Sequence, residues 1–96
     1  MQAKQKAQAG TFESSDIMIL IEPKKQDGDN SIEISSSVGK QFGPQIKKVI
    51  EQVLAEYEIT GIHLIAKDKG ALSQTIGARV ETAVKRALGQ AKGTLQ

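Results

Sequence analysis

Cysteine is missing from this 96-residue sequence. Its absence excludes a disulfide, a thiolate metal site and a cysteine nucleophile, so any thiol chemistry must come from another molecule. Tryptophan is also missing, and aromatic residues make up only 3% of the chain. Very few side chains are therefore available to stack on nucleic-acid bases.

Long apolar runs are missing as well. No run approaches the roughly 18 residues that a bilayer-spanning helix needs. The lysine-containing start of the chain lacks the apolar segment of a signal peptide. We therefore expect a soluble, cytoplasmic chain with no membrane attachment.

Histidine occurs once, as His63 between two apolar residues. A lone histidine lacks the second ligand of a metal site and the nucleophile partner of a catalytic triad, so a structural role is favoured. We expect it on the less buried face of a strand, and we expect no metal on this chain.

The overall composition is that of one globular domain. The chain is 39% hydrophobic and 25% charged, and its net charge of +2 is too small to indicate a nucleic-acid partner. Residues 1–9 lack strand alternation and large apolar side chains, which predicts a flexible N-terminal tail. The domain is expected over residues 10–90 and a frayed C-terminus over 91–96.

Three segments have the pattern of strands. Residues 16–22 contain a continuous apolar run, typical of a strand buried on both faces, and Pro23 ends it. Residues 31–35 alternate isoleucine with polar residues and form a half-exposed strand. The two are expected to make a β-hairpin around a turn that contains Asp27, and residues 61–67 predict a third strand.

Two segments have helical periodicity, residues 42–57 and residues 72–88. The apolar stripe of each should face the core, and these stripes include Phe42 and Leu72. Gly77 lies inside the second segment, where it is expected to permit a close approach to a neighbouring element.

These elements predict a small α+β two-layer sandwich in the order β-β-α-β-α, with two helices packed on one face of a three-stranded sheet. Asp68 is a candidate N-cap of the second helix and Gly89 a candidate C-terminal stop.

One functional alternative arises from residues 38–48. Gly39 and Gly43 before an amphipathic helix have some likeness to the glycine loop of KH RNA-binding modules. The glycines are separated by three residues instead of two, and Phe42 stands where the second glycine should be. A small KH-like RNA-binding module nevertheless remains the alternative function.

The other candidate is the stretch Gly-Thr-Phe-Glu-Ser-Ser-Asp at residues 10–16. Small hydroxyl residues beside Gly and Asp are ordinary turn formers. A serine that another enzyme modifies must be exposed and tethered to a rigid body, and Ser14 and Ser15 meet that description. From the residues alone, a turn and a modification site both remain open.

Residues 10–19 closely resemble the start of the citrate lyase acyl carrier protein family, the gamma subunits of bacterial citrate lyase, in which the stretch reads G-T-L-E-S-x-D-x-M-I. Later blocks of that family follow in order along the chain. They are residues 36–38, 40–43, 61–62, 68–72 and 78–81.

The resemblance implies a covalent cofactor. In that family a serine of this stretch carries a 2'-(5''-phosphoribosyl)-3'-dephospho-CoA arm through a phosphodiester, and the match places it at Ser14. Ser15 stands where the family commonly has glycine, so it is the less favoured attachment site. The borrowed thiol of such an arm would suit a chain without cysteine.

The resemblance also implies a non-catalytic carrier subunit that acts in citrate fermentation. The arm would carry acetyl and citryl thioesters between the transferase (alpha) and lyase (beta) subunits, which together cleave citrate to oxaloacetate and acetate. A prosthetic-group transferase and an acetate ligase are the other implied partners, with no nucleic acid and no membrane among them.

Roles for the neighbours of Ser14 follow as hypotheses. Gly10 and Thr11 would form a hinge, and Phe12 would anchor the loop on the domain. Glu13 and Asp16 would mark the loop for the transferase. A lysine of the tail, Lys4 or Lys6, would lie near the phosphates of the arm.

Overall fold

A computed structural model describes residues 2–25 and 28–89 of the chain. The predicted turn residue Asp27 and the predicted frayed end at 91–96 lie outside the described residues. Within them the elements are β1 (Ala7–Gly10), β2 (Ile17–Pro23), β3 (Ser31–Ser36), a 3-10 turn (Lys40–Phe42), α1 (Gly43–Glu56), β4 (Ile62–Asp68) and α2 (Ser73–Ala87).

The strands form one mixed sheet in the order β1-β2-β4-β3. β1 pairs antiparallel with β2, β2 pairs antiparallel with β4, and β3 pairs parallel with β4. The hairpin predicted for residues 16–22 and 31–35 is therefore wrong, because β4 lies between those two strands. A parallel pair needs a long crossover connection, and α1 lies in the connection from β3 to β4.

Both helices pack on one face of the sheet, as predicted for a two-layer α+β fold. Isoleucines 17, 19 and 21 of β2 are almost fully buried, and Val80 and Val84 of α2 belong to the same core. Removing a large aliphatic side chain from water contributes about 1.5–3 kcal/mol to folding. Buried and less buried residues alternate along β2 and β4, and no helix of residues 2–25 and 28–89 packs on the opposite face of the sheet.

The sheet has four strands rather than the expected three, because part of the segment predicted as a tail forms β1. Alanine and glutamine have low strand propensity, so the sequence pattern does not indicate this strand. The small Ala9 side chain is buried, and the guanidinium of Arg86 donates to the Gln8 carbonyl at 2.8 Å. The Lys4 amide donates to the Ala87 carbonyl, also at 2.8 Å. Contacts with α2 thus stabilise β1, whose residues have a low strand propensity of their own.

Two residues of the predicted apolar stripes are exposed, Phe42 at 42% and Leu72 at 70%. Both precede the helices, because α1 begins at Gly43 and Leu72 is the N-cap residue of α2. The predicted N-cap Asp68 instead ends β4, whereas Gly89 follows α2 in the left-handed conformation expected of a stop.

The expectation for Gly77 is not met. A Cβ atom at this position would meet only the Val49 side chain, at an ordinary 3.8 Å. No helix within the described ranges is long and apolar enough to cross a membrane.

Candidate functional site

Residues 10–16, which we call the serine loop, connect β1 to β2. The Asp16 amide donates to the Glu13 carbonyl at 3.2 Å and closes a four-residue turn with Ser14 and Ser15 in its centre. Ser15 has a φ of +64°. A positive φ at the third turn residue is the pattern of a type II turn, a position that glycine favours.

Both serines are exposed, but the backbone around them is held. The Ser15 amide donates to the Lys69 carbonyl at 2.8 Å, and the Lys69 amide donates back to the Asp16 carbonyl at 2.9 Å. Within the part of the chain that the structure describes, the Ser14 hydroxyl has no hydrogen-bond partner. The loop therefore presents an accessible hydroxyl on a fixed backbone.

Asp16 anchors the loop to α2. The Arg79 guanidinium donates from Nε to Oδ1 and from Nη2 to Oδ2 of Asp16, both at 3.0 Å. The Thr11 hydroxyl donates to Oδ2 at 2.6 Å, and the Ile17 amide donates to Oδ1 at 2.7 Å. Paired donation from a guanidinium to a carboxylate is among the stronger side-chain contacts. We call this group of four residues the Asp16 latch.

The electrostatics of the Asp16 latch favour the charged carboxylate. Hydrogen bonding from Arg79, and next from Thr11, lowers the pKa of Asp16 from 3.8 to about 2, although burial acts in the opposite direction. The Asp16 side chain is 12% exposed and the Arg79 side chain 41% exposed. The ion pair is thus buried on the carboxylate side and open to water on the arginine side.

The loop begins at a position that only glycine can occupy. Gly10 has a φ of +91°, and a Cβ atom there would lie 1.8 Å from the Ile17 carbonyl oxygen. That distance is far inside van der Waals contact, and the oxygen belongs to backbone that cannot rotate away. Gly10 therefore sets how closely the end of β1 approaches the start of β2.

Several predicted roles around the loop need correction. Phe12 does not anchor the loop: it is 55% exposed, and its ring lies beneath the Lys67 ammonium, whose Nζ is 5.9 Å from the ring centre. Asp16 is buried, so it holds the loop and is not displayed for recognition. Thr11 is part of the latch instead of a hinge, and only Glu13 remains as an exposed acid of the loop.

The proximity of Lys4 or Lys6 to the phosphates of the arm stays a prediction, and the strand register places both lysines away from Ser14 itself. Ala7 pairs with Ile21, so these lysines precede the end of β1 that is opposite the serine loop. The four steps along the chain from Lys6 to Gly10 span about 13 Å of strand. The Lys6 ammonium instead lies 3.5 Å from the Glu22 carboxylate.

His63 has the structural position expected for it. Its Nε2 lies 2.6 Å from a carboxylate oxygen of Glu33 on the neighbouring strand, and its side chain is 30% exposed. It belongs to the open face of the sheet, whereas Asp68 and the serine loop lie at the end of β4. His63 is therefore not part of the candidate site.

A second feature lies beside the serine loop, an apolar groove of about 400 Å³. Buried Asp68 forms its floor, where the carboxylate accepts hydrogen bonds from the Ser36 hydroxyl at 2.8 Å and the Ala71 amide at 2.9 Å. Apolar side chains line the walls, and they come from the turn before α1 and from the start of α2. They are Val38, Phe42, Ile46, Ala71, Leu72 and Ile76.

The sequence pattern did not indicate Arg79 and Asp68 as site residues. Arg79 contacts Asp16 across 63 positions of sequence, which no local pattern can indicate. One signal was present: Arg79 lies among the buried residues Ile76, Val80 and Ala83, where a charged side chain needs a partner.

The serine loop presents two exposed hydroxyls on a hydrogen-bonded backbone. The exposed hydroxyls of Ser14 and Ser15 have no histidine near them, since His63 pairs with Glu33 elsewhere. Among residues 2–25 and 28–89, no group of three or more histidine, aspartate or glutamate side chains is placed to hold a metal ion.

Comparisons with known proteins agree on one family. The family model described as "Malonate decarboxylase delta subunit (MdcD)" matches residues 4–87. The citrate lyase acyl carrier protein of Latilactobacillus sakei is 52% identical over 94% of this chain and 87% of its own length. The protein of the same name from Edwardsiella ictaluri is 47% identical over 91% of this chain and 88% of its own length.

A solved structure supports the fold. One chain of the crystal structure of a Pseudomonas malonate decarboxylase hetero-tetramer in complex with malonate superposes with a TM-score of 0.77. The match covers 88% of this chain and 86% of that one, at 21% sequence identity. At this identity the likeness concerns the architecture alone.

Proposed function

The chain belongs to the citrate lyase acyl carrier protein family, and on that premise we propose that it is the acyl carrier subunit of a citrate lyase. Its part in the complex is to hold a covalent arm on Ser14 and to present it to other subunits. The domain itself acts as a rigid handle and needs no catalytic residue.

The observation that carries the choice of Ser14 is the φ of +64° at Ser15. The stretch resembles family sequences in which a serine is commonly followed by glycine. A left-handed residue at the third turn position is where glycine is favoured. The backbone thus supports aligning Ser15 with that glycine and Ser14 with the modified serine.

The residues present fit a phosphodiester-linked group. Attachment needs an exposed hydroxyl, and Ser14 has one without a hydrogen-bond partner in the described ranges. The loop backbone is held at Ser15 and Asp16, so a modifying enzyme meets a preformed turn. Preorganisation of this kind lowers the entropy cost of binding.

The group we propose is phosphoribosyl-dephospho-coenzyme A. When attached, it supplies the thiol on which an acyl group is carried, a chemical group that this chain lacks because it has no cysteine. The anchored loop fixes the starting point of the arm. Tethering then raises the effective concentration of the carried acyl group at every site that the arm can reach.

We propose as partners the alpha and beta subunits of citrate lyase, together with the prosthetic-group transferase and an acetate ligase. All four would need access to Ser14 or to its arm. The exposed turn at the end of the sheet gives that access, because neither helix covers it.

The test is the intact mass of the protein isolated from cells that make the modifying enzymes. We expect an added mass equal to one phosphoribosyl-dephospho-coenzyme A, and fragmentation of the peptide covering residues 7–24 should place it on Ser14. Ser14→Ala should remove the added mass without changing the circular dichroism spectrum, because the Ser14 side chain is exposed.

Ser15→Ala is the matched control, since it removes the adjacent hydroxyl and should keep the added mass. Loss of the mass in Ser15→Ala but not in Ser14→Ala would move the site by one residue. An unmodified wild-type chain from such cells would contradict the carrier function. The alternative function, RNA binding through residues 38–48, would then be the one to test.

A further inference from the structure

The apolar groove is lined by large hydrophobic side chains that are exposed to solvent. Phe12, Val38, Phe42 and Leu72 are the exposed large hydrophobic residues among those the structure describes. The last three of them line this groove. Leaving three such side chains in water is unfavourable by the same physics that buries a core, so this surface is suited to an apolar ligand.

The groove lies close to the proposed attachment site. The Ser15 amide bonds to the Lys69 carbonyl at 2.8 Å, and the next residue, Gly70, lines the groove. Adding the bond lengths along this path places the Cα atoms of Ser14 and Gly70 at most about 10 Å apart. A group near the attached end of an arm on Ser14 can therefore reach the groove.

Two exposed lysines are close in sequence to residues that line the groove. Lys40 is exposed between the wall residues Val38 and Phe42, and exposed Lys69 precedes Gly70. The lining does contain one acid, Asp68, but it is buried and its carboxylate accepts hydrogen bonds from Ser36 and Ala71. The first turns of α1 and α2 contain no acidic residue. An apolar ligand flanked by phosphates would match this distribution of charge.

The groove also offers aromatic and polar contacts of the kind that a base needs. Phe42 supplies an exposed ring, and stacking of a nucleobase on an aromatic side chain is favourable for every base. At the rim, the Gln45 amide donates to the Ser73 hydroxyl at 3.2 Å, joining α1 to α2. Apolar walls with a few polar groups are typical of small-molecule sites.

We propose that this groove binds the adenosine of the serine-linked arm, with Phe42 against the adenine ring and Lys40 and Lys69 beside the phosphates. The inference rests on the proposed function, because it requires the arm on Ser14. In that arm a phosphoribosyl unit joins the serine to the adenosine, and the pyrophosphate and pantetheine follow. The adenine ring is thus the first aromatic group along the arm from Ser14.

Adenosine binding would divide the arm into a held part and a mobile part. The base rests on the carrier, while the pantetheine and its thiol remain free to reach the active sites of other subunits. Holding the base reduces the number of conformations of the arm and so favours those that extend from this end of the molecule.

The experiment uses the modified full-length protein with labelled valine and leucine methyl groups. We expect nuclear Overhauser contacts from the adenine H2 and H8 protons to the Val38 and Leu72 methyl groups. Phe42→Ala should lower the ratio of bound to free adenine by at least about fivefold, the low end of what loss of one stacking contact gives.

Phe12→Ala is the matched control, because it removes an exposed aromatic ring of the serine loop that does not line the groove. It should leave the adenine contacts unchanged. Leu72→Ser is a second groove variant at a side chain that is 70% exposed, and it should weaken the adenine contacts to the Val38 methyl groups. The intact mass of every variant is measured first, to verify that the arm is present.

Each other result overturns the proposal in an identifiable way. A modified protein without adenine contacts to the groove, or with contacts from the pantetheine methyl groups in their place, contradicts it and leaves the carrier function intact. Methyl shifts that depend on the concentration of unmodified protein would show that a second copy of the chain occupies the groove. An absent arm contradicts both this inference and the carrier function.

Discussion

The serine loop and the apolar groove each depend on a buried carboxylate, but the two carboxylates are satisfied differently. Asp16 pairs with the Arg79 guanidinium, whereas Asp68 accepts hydrogen bonds from the neutral donors Ser36 and Ala71. The two acids are neighbours, since Ile17 is the register partner of Asp68. One end of a single sheet thus contains two buried carboxylates, one bound by a charged donor and one bound by neutral donors.

The difference predicts which conditions disturb each region. A bond between opposite charges weakens when the carboxylate is protonated. The neutral donors to Asp68 are the hydroxyl of Ser36, its register partner on β3, and the backbone amide of Ala71 just after β4. We therefore expect substitution of a charged partner to disturb the serine loop more than the groove.

The largest effect is expected for Gly10→Ala, which breaks the loop and leaves the groove intact. The new methyl group would overlap the Ile17 carbonyl oxygen, at 1.8 Å, in a conformation that side chains rarely adopt. We expect a loss of about 3 kcal/mol or more in the free energy of unfolding. A thermal melt should show a midpoint lower by roughly 10 °C or more.

Gly77→Ala is the matched control, because its new methyl group meets only the Val49 side chain at 3.8 Å. Alanine is a better helix former than glycine by about 1 kcal/mol, so this variant should be equally or more stable than the wild type. If the two alanine variants melted alike, the close approach at Gly10 would not be the reason for its glycine.

The second effect concerns the Asp16 latch and pH. The pKa of Asp16 is lowered from 3.8 to about 2 in the folded state, so its contribution to stability is fully present above pH 4. It is lost as the pH falls from about 4 to about 2. The shift in pKa corresponds to a contribution of at most roughly 2 kcal/mol to the free energy of unfolding. Solvent screening on the exposed arginine side reduces this contribution.

Arg79→Gln tests this contribution. At neutral pH the variant should lose about 2–3 kcal/mol of unfolding free energy, because the carboxylate stays buried without its cation. The difference from the wild type should shrink below pH 3, where Asp16 becomes protonated. Urea titrations at a series of pH values measure both.

Lys85→Gln provides the comparison for an exposed ion pair. Lys85 and Glu81 are 3.9 Å apart on the surface of α2, and such pairs contribute at most about 0.5 kcal/mol. An effect of Arg79→Gln that stayed constant down to pH 2 would mean that Arg79 acts through packing and not through its charge.

The sequence was a good guide to elements with strong local patterns. The apolar run of β2, the alternation of β3 and the stripes of α1 and α2 all appear close to their predicted positions. The sequence pattern was a poor guide where contacts with another element determine the secondary structure or the strand pairing. β1 is a strand because it pairs with β2 and packs against α2. β3 pairs with β4 through a crossover connection, and the alternation of apolar and polar residues in β3 does not indicate which strand is its partner.

The candidate site was only partly predictable for the same reason. Ser14 and Ser15 were identified from a contiguous motif, but Arg79 reaches Asp16 across 63 positions. Phe42 and Leu72 continue the spacing of the apolar stripes in sequence, yet both lie before the helices begin. Outside a helix, that spacing no longer determines which way a side chain points. The groove is therefore made of residues that periodicity assigned to the core.

The smallest predicted effect separates the two adjacent serines, and it concerns the backbone alone. Ser15→Gly removes the cost of a left-handed serine, about 1 kcal/mol, but adds conformational freedom to the unfolded chain. We expect the stability to stay equal or to rise by up to about 1 kcal/mol. Ser14 has no positive φ, so Ser14→Gly gains nothing in the folded state and should lose about 0.4–1 kcal/mol.

Chemical denaturation of the two glycine variants, both without the arm, measures this difference. A higher stability for Ser15→Gly than for Ser14→Gly would mean that the turn at 13–16 is built for glycine at its third position. The same result would favour Ser14 as the attachment site independently of any mass measurement, because it aligns the turn with the serine-glycine order of the family. Equal stabilities would remove that argument and leave the choice between the two hydroxyls to the mass of the modified peptide.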